Sequence, residues 1–150
     1  MKLQTEGFSD LPAARADAII QVCLAHHVRR AARLFTRAFD QSLRPSGINY
    51  SQFNILVVIA AFEPVPTPQI STYMAMDRTT LSRNIKPLKH AGYVDTHVGA
   101  GRRPDIISLT ISGQTVLNKA KALWKDTQHD LTHRIGPERA GQLLEILGQL

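Results

Sequence analysis

The stretch from Thr67 to Leu109 limits the possible folds of this chain more than any other, because it predicts helices first and strands afterwards. Leu81, Ile85 and Leu88 recur at steps of four and three residues, so they share one face of a helix. After Gly92 the residues read as two short strands. This order of elements predicts a helical domain that carries a small β-hairpin.

Residues that cap and stop helices set the predicted boundaries. Thr67 is predicted to cap a short helix, and Asp77 to cap a second one that ends at Gly92. Two helices joined by a tight turn form a helix-turn-helix. Strands over 93–98 and 105–109 then make the hairpin, with a basic tip between them. The predicted inner face of the short helix consists of Ile70, Tyr73 and Met74.

Further helices are predicted on both sides of this unit, over 11–43 before it and over 111–134 and 137–150 after it. A buried helix over 50–62 would lie between the first helix and the helix-turn-helix, with Ser51 as its N-cap. The predicted fold class is therefore mainly α with a small β-hairpin wing.

The chain carries an excess of positive charge, formally +6 at pH 7. Such an excess favours a polyanionic partner, either nucleic acid or an anionic membrane surface. The longest apolar run, Ile55–Phe62, is far shorter than the ~20 residues that cross a bilayer. The N-terminal residues include acidic side chains and lack the apolar region of a signal peptide, so a cytoplasmic protein without a membrane partner is predicted.

Polar side chains point outward from the second helix of the helix-turn-helix once Leu81 and Ile85 face the core. Arginine can hold guanine O6 and N7 with two hydrogen bonds, and Thr or Ser can bond bases or phosphates. The hairpin tip adds two arginines that would reach the DNA backbone or the minor groove. The competing interpretation is an ordinary solvated surface. The residues predicted to contact duplex DNA are Thr67, Arg78, Thr79, Ser82, Arg83, Lys86, Arg102 and Arg103.

An enzyme is not predicted, because the sequence contains no nucleophile elbow, phosphate loop or paired-carboxylate motif. His129 and His133 have the four-residue spacing of metal ligands on a helix, but no cluster of Cys or Glu accompanies them. Neither a metal site nor another cofactor is therefore predicted. A module that kept the winged fold for protein interaction without binding DNA is a further alternative.

Four stretches, taken in order, match one known family: Asp77–Arg83, Gly92–Val94, Arg102–Arg103 and Ile107–Gly113. In these residues the chain resembles the MarR family of bacterial transcription regulators. The resemblance implies a homodimer with dimerisation helices in 1–47 and 111–150 and a winged helix-turn-helix in 48–110. It also implies a regulator, commonly a repressor, that reads a pseudo-palindromic operator and is released by a small molecule or an oxidant.

Two departures from the family pattern fall in the predicted DNA-binding region. Gly101 stands where the family usually has an acidic residue that helps to fix the wing, which weakens the prediction of a rigid wing. Pro87 lies inside the second helix of the helix-turn-helix, where it removes a backbone hydrogen bond and would kink the helix after Lys86.

The resemblance also implies where an effector would act. A small aromatic acid would bind between the dimerisation helices and the DNA-binding region, with Arg30, Arg33, Tyr50 and Phe53 as the candidate lining residues. Cys23 stands where the single-cysteine organic-peroxide sensors of the family carry their reactive thiol. Oxidant sensing is therefore one interpretation of Cys23, and simple packing of a small buried side chain is the other.

Overall fold

The computed structural model describes residues 16–97 and 104–149, which fall into two compact units divided after Arg37. The first unit contains α1 (Ala16–Val22) and the part of α2 (Leu24–Leu43) up to Arg37. The helix predicted over 11–43 is thus interrupted at Cys23. Two backbone hydrogen bonds, from Cys23 to Ile19 at 2.9 Å and from His27 to Cys23 at 3.2 Å, continue the helical pattern through the break.

The second unit is centred on α3 (Tyr50–Phe62), which follows a short 3-10 turn. Its N-cap is Asn49, and the prediction of Ser51 is wrong. The Asn49 side chain accepts a hydrogen bond from the Gln52 amide, and the Gln52 side chain accepts one from the Asn49 amide. This reciprocal pair satisfies two amides that the first turn of a helix would otherwise leave free. Ile55, Leu56 and Ile59 are completely buried, which confirms α3 as a core helix.

The helix-turn-helix consists of α4 (Thr67–Tyr73) and α5 (Arg78–His90). Ile70 is fully buried as predicted, but Tyr73 is 65% exposed, so its placement on the inner face is wrong. α5 stays helical through Pro87 and ends before Gly92, whose φ of +70° is the left-handed conformation that glycine adopts readily.

The wing belongs to a three-stranded antiparallel sheet in the order β1–β3–β2, formed by Val65–Pro66, Ile106–Leu109 and Val94–His97. β3 lies in the centre, where Ile107 is paired with Val65 on one side and with Thr96 on the other. The two hairpin strands are confirmed in shorter form. The two-residue β1 is a strand that the sequence does not predict.

Two helices complete the chain, α6 (Ile111–Ile135) and α7 (Pro137–Leu147). Thr110 caps α6, because its hydroxyl accepts a hydrogen bond from the Gly113 amide at 2.9 Å and donates one to the Gly92 carbonyl at 2.6 Å. Gly136 separates the two helices with a φ of +95°. The mainly α fold with a small sheet is thereby confirmed.

The Thr110 hydroxyl should contribute to the stability of the fold, because it links the start of α6 to Gly92 at the end of α5. We expect Thr110→Val to lower the free energy of unfolding by about 1 kcal/mol. Thr96→Val is the matched control, since the Thr96 hydroxyl is buried without a hydrogen-bond partner among the described residues. Its replacement should change stability by less than about 0.5 kcal/mol. Urea denaturation of both variants tests this, and equal losses would contradict the capping role.

Candidate nucleic-acid interface

The outer face of α5 gathers five of the residues predicted to contact DNA. At about 100° per residue, the exposed positions between 78 and 86 span about 140°, which is less than half of the helix circumference. Leu81, Ile85 and Leu88 hold the opposite face in the core with exposures of 0%, 8% and 1%. The five side chains gathered on this exposed face are Arg78, Thr79, Ser82, Arg83 and Lys86.

The first turn of α5 is fixed by Asp77. One carboxylate oxygen accepts the Thr80 amide at 2.8 Å and the other accepts the Thr80 hydroxyl at 2.7 Å. The hydroxyl of Thr80, followed by its amide, lowers the pKa of Asp77 below the usual value of 3.8. Because the pKa is lowered in the folded state, the cap contributes fully above the ordinary pKa of Asp and is lost only as the pH falls through the lowered value. The start of this helix is thus organised throughout the neutral range.

Asn84 and His90 are polar residues of α5 to which the sequence assigned no role. The Asn84 side chain donates to the Thr80 carbonyl at 2.9 Å and is half-buried, so it braces the helix behind the exposed face. Lys89 and His90 extend that face toward the C-terminus and line an open depression together with Lys86 and Pro87. The i, i+4 spacing from Lys86 to His90 could have revealed this extension.

Thr67, the remaining described DNA candidate, begins α4 instead of capping it. Its amide and its hydroxyl both donate to the Asp105 carbonyl at 2.9 Å, next to β3. A second hydrogen bond holds the other end of β3, where the Glu63 carboxylate accepts the Leu109 amide at 2.9 Å. Arg102, Arg103 and Gly101 lie outside the described residues, so the predicted roles of the wing tip stay predictions.

The candidate effector residues lie in different units. Arg30 and Arg33 are exposed on α2 in the first unit. Tyr50 and Phe53 belong to a column of stacked rings in the second unit, with centroid distances of 4.5 Å from Phe39 to Tyr50 and 6.4 Å from Tyr50 to Phe53. Trp124 continues the column 6.2 Å from Phe53. These contacts give Tyr50 and Phe53 a packing role, and the effector assignment stays a prediction.

Cys23 and the histidine pair complete the predicted sites. The Cys23 sulfur is half-buried and accepts the His26 amide at 3.4 Å, at the interruption between α1 and α2. His129 lies 4.0 Å from the adjacent Asp130 carboxylate, and both side chains are exposed. Within residues 16–97 and 104–149, no three His, Cys, Asp or Glu side chains are grouped to hold a metal ion. None of the described helices is long and apolar enough to span a membrane.

Comparison with known proteins points to one family. The MarR family profile matches residues 46–103. The transcriptional regulator MosR of M. tuberculosis, solved in complex with DNA, is 36% identical, with coverage of 85% of this chain and 94% of that chain and a TM-score of 0.74. A mutant of E. coli MarR complexed with operator DNA shares the fold at 19% identity, with coverage of 89% and 98% and a TM-score of 0.79.

A curated relative matches over a shorter stretch. The uncharacterised HTH-type transcriptional regulator YwoH of Bacillus subtilis is 29% identical over 87 residues, which amount to 58% of this chain. The match spans 64% of that relative's length.

Proposed function

The chain belongs to the MarR family of winged-helix, DNA-binding transcriptional regulators, and on this premise we propose that it acts as a homodimeric repressor. Each subunit would place α5 in the major groove of one operator half-site. The observation that supports this best is the outer face of α5, which offers two arginines, a lysine and two hydroxyls on a capped, well-anchored helix.

The side chains of that face suit different tasks in the groove. Arg78 and Arg83 can each hold guanine with two parallel hydrogen bonds. Thr79 and Ser82 can bond a base or a phosphate, and Lys86 suits a phosphate as a point charge. Arg102 and Arg103 of the wing would add contacts to the backbone or the adjacent minor groove.

Dimerisation is supported by apolar side chains that the single chain leaves in water. α7 exposes a row of leucines and an isoleucine, and α1 with the start of α2 exposes a second set in the other unit. Contiguous exposed apolar surface marks interaction sites. We infer that a second copy of the chain covers both sets. The first set is Leu143, Leu144, Ile146 and Leu147 on α7, and the second is Ile19 and Ile20 on α1 with Leu24 at the start of α2. The two-fold axis would then match a pseudo-palindromic operator with half-sites about one helical turn apart.

Release by a small anionic effector is the remaining part of the proposal. Its basis is family membership together with exposed cations on α2, where Arg30 and Arg33 lie. An effector releases the operator only if it binds the DNA-free conformation more tightly than the DNA-bound one.

Salt titration tests the DNA-binding proposal directly. With six to ten phosphate contacts per dimer, affinity for the duplex upstream of the gene should fall about 10³- to 10⁵-fold between about 50 and 200 mM salt. Fluorescence anisotropy with a scrambled duplex of equal length provides the control for specificity. A flat dependence on salt, or equal affinity for both duplexes, would refute operator reading.

A further inference from the structure

One face of α2 carries a stripe of cationic side chains that the DNA-binding proposal does not use. His26, Arg30, Arg33 and Arg37 follow one another at steps of four, three and four residues, so they line up along the helix, with Arg29 beside them. All five side chains are exposed, and all lie within the first unit.

The acidic residue of α2, Asp40, lies beyond the last arginine of the stripe, and its carboxylate accepts the Tyr50 amide at 2.8 Å. The sequence contains no Asp or Glu between Asp17 and Asp40, while Arg29, Arg30, Arg33 and Arg37 place four positive charges within nine residues. None of the four guanidinium groups forms an ion pair with a described residue. Like charges at i, i+3 and i, i+4 destabilise a helix. The stripe therefore adds repulsion within α2 that an anionic partner would relieve.

The positive charges of the stripe belong to arginine, and this residue type favours a partner with phosphate groups. Every cation between Arg29 and Arg44 is arginine, and the chain has no lysine between Lys2 and Lys86. Arginine presents a planar fork that matches phosphate oxygens with two hydrogen bonds, whereas lysine offers only a point charge. A single carboxylate would neutralise one of the four arginines. A partner with several phosphate groups would neutralise most of them.

The size of the stripe and its histidine end favour a small ligand. At 1.5 Å per residue, Arg30 and Arg37 are separated by roughly 10 Å along the helix, which long side chains can close around a short phosphate chain. At the other end the rings of His26 and His27 meet edge to face, with centroids 5.6 Å apart. His27 is held there by a 3.1 Å hydrogen bond to the Gln21 carbonyl. Planar rings beside a phosphate site suit a heterocyclic base.

We propose that this stripe binds a nucleotide-type effector, a small molecule that carries two or more phosphate groups and a planar base. The phosphates contact Arg30, Arg33 and Arg37, and the base lies toward His26. This inference deepens the effector part of the proposed function. It concerns binding in the absence of DNA, so its failure would leave the DNA-reading proposal untouched.

Calorimetric titration of the intact protein with ATP, tripolyphosphate and orthophosphate, at low ionic strength and without DNA, tests the inference. We expect ATP and tripolyphosphate to bind once per chain, about tenfold or more tighter than orthophosphate. The double variant R30Q/R33Q should weaken ATP binding by about tenfold or more, and R30K/R33K should fall between it and the wild type. K121Q/K125Q removes the same charge from exposed positions on α6 and should change ATP affinity by less than about twofold.

Three results would overturn the inference. The first is the absence of ATP binding to the wild type. The second is an equal loss in R30Q/R33Q and K121Q/K125Q, which would mean non-specific attraction to a basic protein. The third is unchanged ATP binding in R30Q/R33Q together with weaker duplex binding, which would assign the stripe to the DNA backbone.

Discussion

Replacing Arg83 by alanine is expected to weaken operator binding strongly, because this arginine lies on the outer face of α5. A bidentate arginine–guanine contact contributes about 1–3 kcal/mol to base discrimination, and a homodimer would lose it in both half-sites. The total loss of about 2–6 kcal/mol corresponds to on the order of 30-fold or more in affinity. Arg83 is exposed on a helix whose opposite face is buried, so the substitution removes a contact without disturbing the core.

The control for Arg83→Ala is Arg44→Ala, which removes an exposed arginine from the 3-10 turn before α3. Its backbone carbonyl accepts the Gly47 amide, a hydrogen bond that the substitution leaves in place. Electrophoretic mobility shifts with operator and scrambled duplexes should show a specific loss for Arg83→Ala and an almost unchanged ratio for Arg44→Ala. If both variants lose affinity equally on both duplexes, Arg83 supplies only general charge and reads no base.

Gly113→Ala adds only one methyl group, but it is expected to lower the stability of the fold strongly. Gly113 lies in the first turn of α6, and a Cβ atom built there would overlap the backbone carbonyl oxygen of Tyr93. Neither partner can yield easily, because the Tyr93 carbonyl already accepts the Thr110 amide at 3.1 Å and Thr110 caps the same helix. Overpacking against backbone should lower the free energy of unfolding by about 3 kcal/mol, a fall in Tm of about 6–12 °C.

Gly141→Ala tests whether this loss comes from the close approach. Gly141 lies within α7 and has no heavy atom within 4 Å of a built Cβ. Alanine there should raise stability by up to about 1 kcal/mol, because it favours the helix more than glycine does. Calorimetric melting of both variants separates the effects. A Tm of Gly113→Ala within a degree or two of the wild type would contradict the close packing of α6 against Tyr93.

Helix boundaries were predictable where a side chain acts on its own neighbours. Asp77 and Thr110 cap α5 and α6 through hydrogen bonds three residues along the chain, and Gly136 adopts a left-handed φ where α6 ends. Such caps can be predicted because the residues that form them are close together in the sequence. The same holds for the outer face of α5, which follows from the spacing of its buried residues alone.

Features that depend on distant partners escaped prediction. β1 is a strand only because Val65 pairs with Ile107, some forty positions further along the chain. Thr67 was read as a cap, but its hydroxyl bonds Asp105 across the sheet. Tyr73 has helical spacing with Ile70, yet its ring turns outward and meets Phe62 with centroids 5.3 Å apart. In each case a tertiary contact outweighed a local preference.

Whether each candidate effector residue is exposed or packed was predictable from the sequence only in part. The sequence gives the arginines of α2 and their common face, but it also suggested Tyr50 and Phe53 as lining residues, which pack in a ring column with Phe39 and Trp124. The sequence alone does not distinguish an aromatic side chain that lines a cavity from one that packs in a core. Charge is more informative, because uncompensated arginines at helical spacing have no use in a core.

Because β3 lies in the centre of the sheet, the loop that joins β2 to β3 can change in length without displacing β3. β3 is held on one side by β1 and on the other by β2, and Thr67 and Glu63 secure its two ends. Its position against α3 therefore does not depend on the number of residues that connect it to β2. If the wing tip contacts the minor groove as proposed, exchange of residues 98–103 would retarget that contact while the outer face of α5 keeps its alignment.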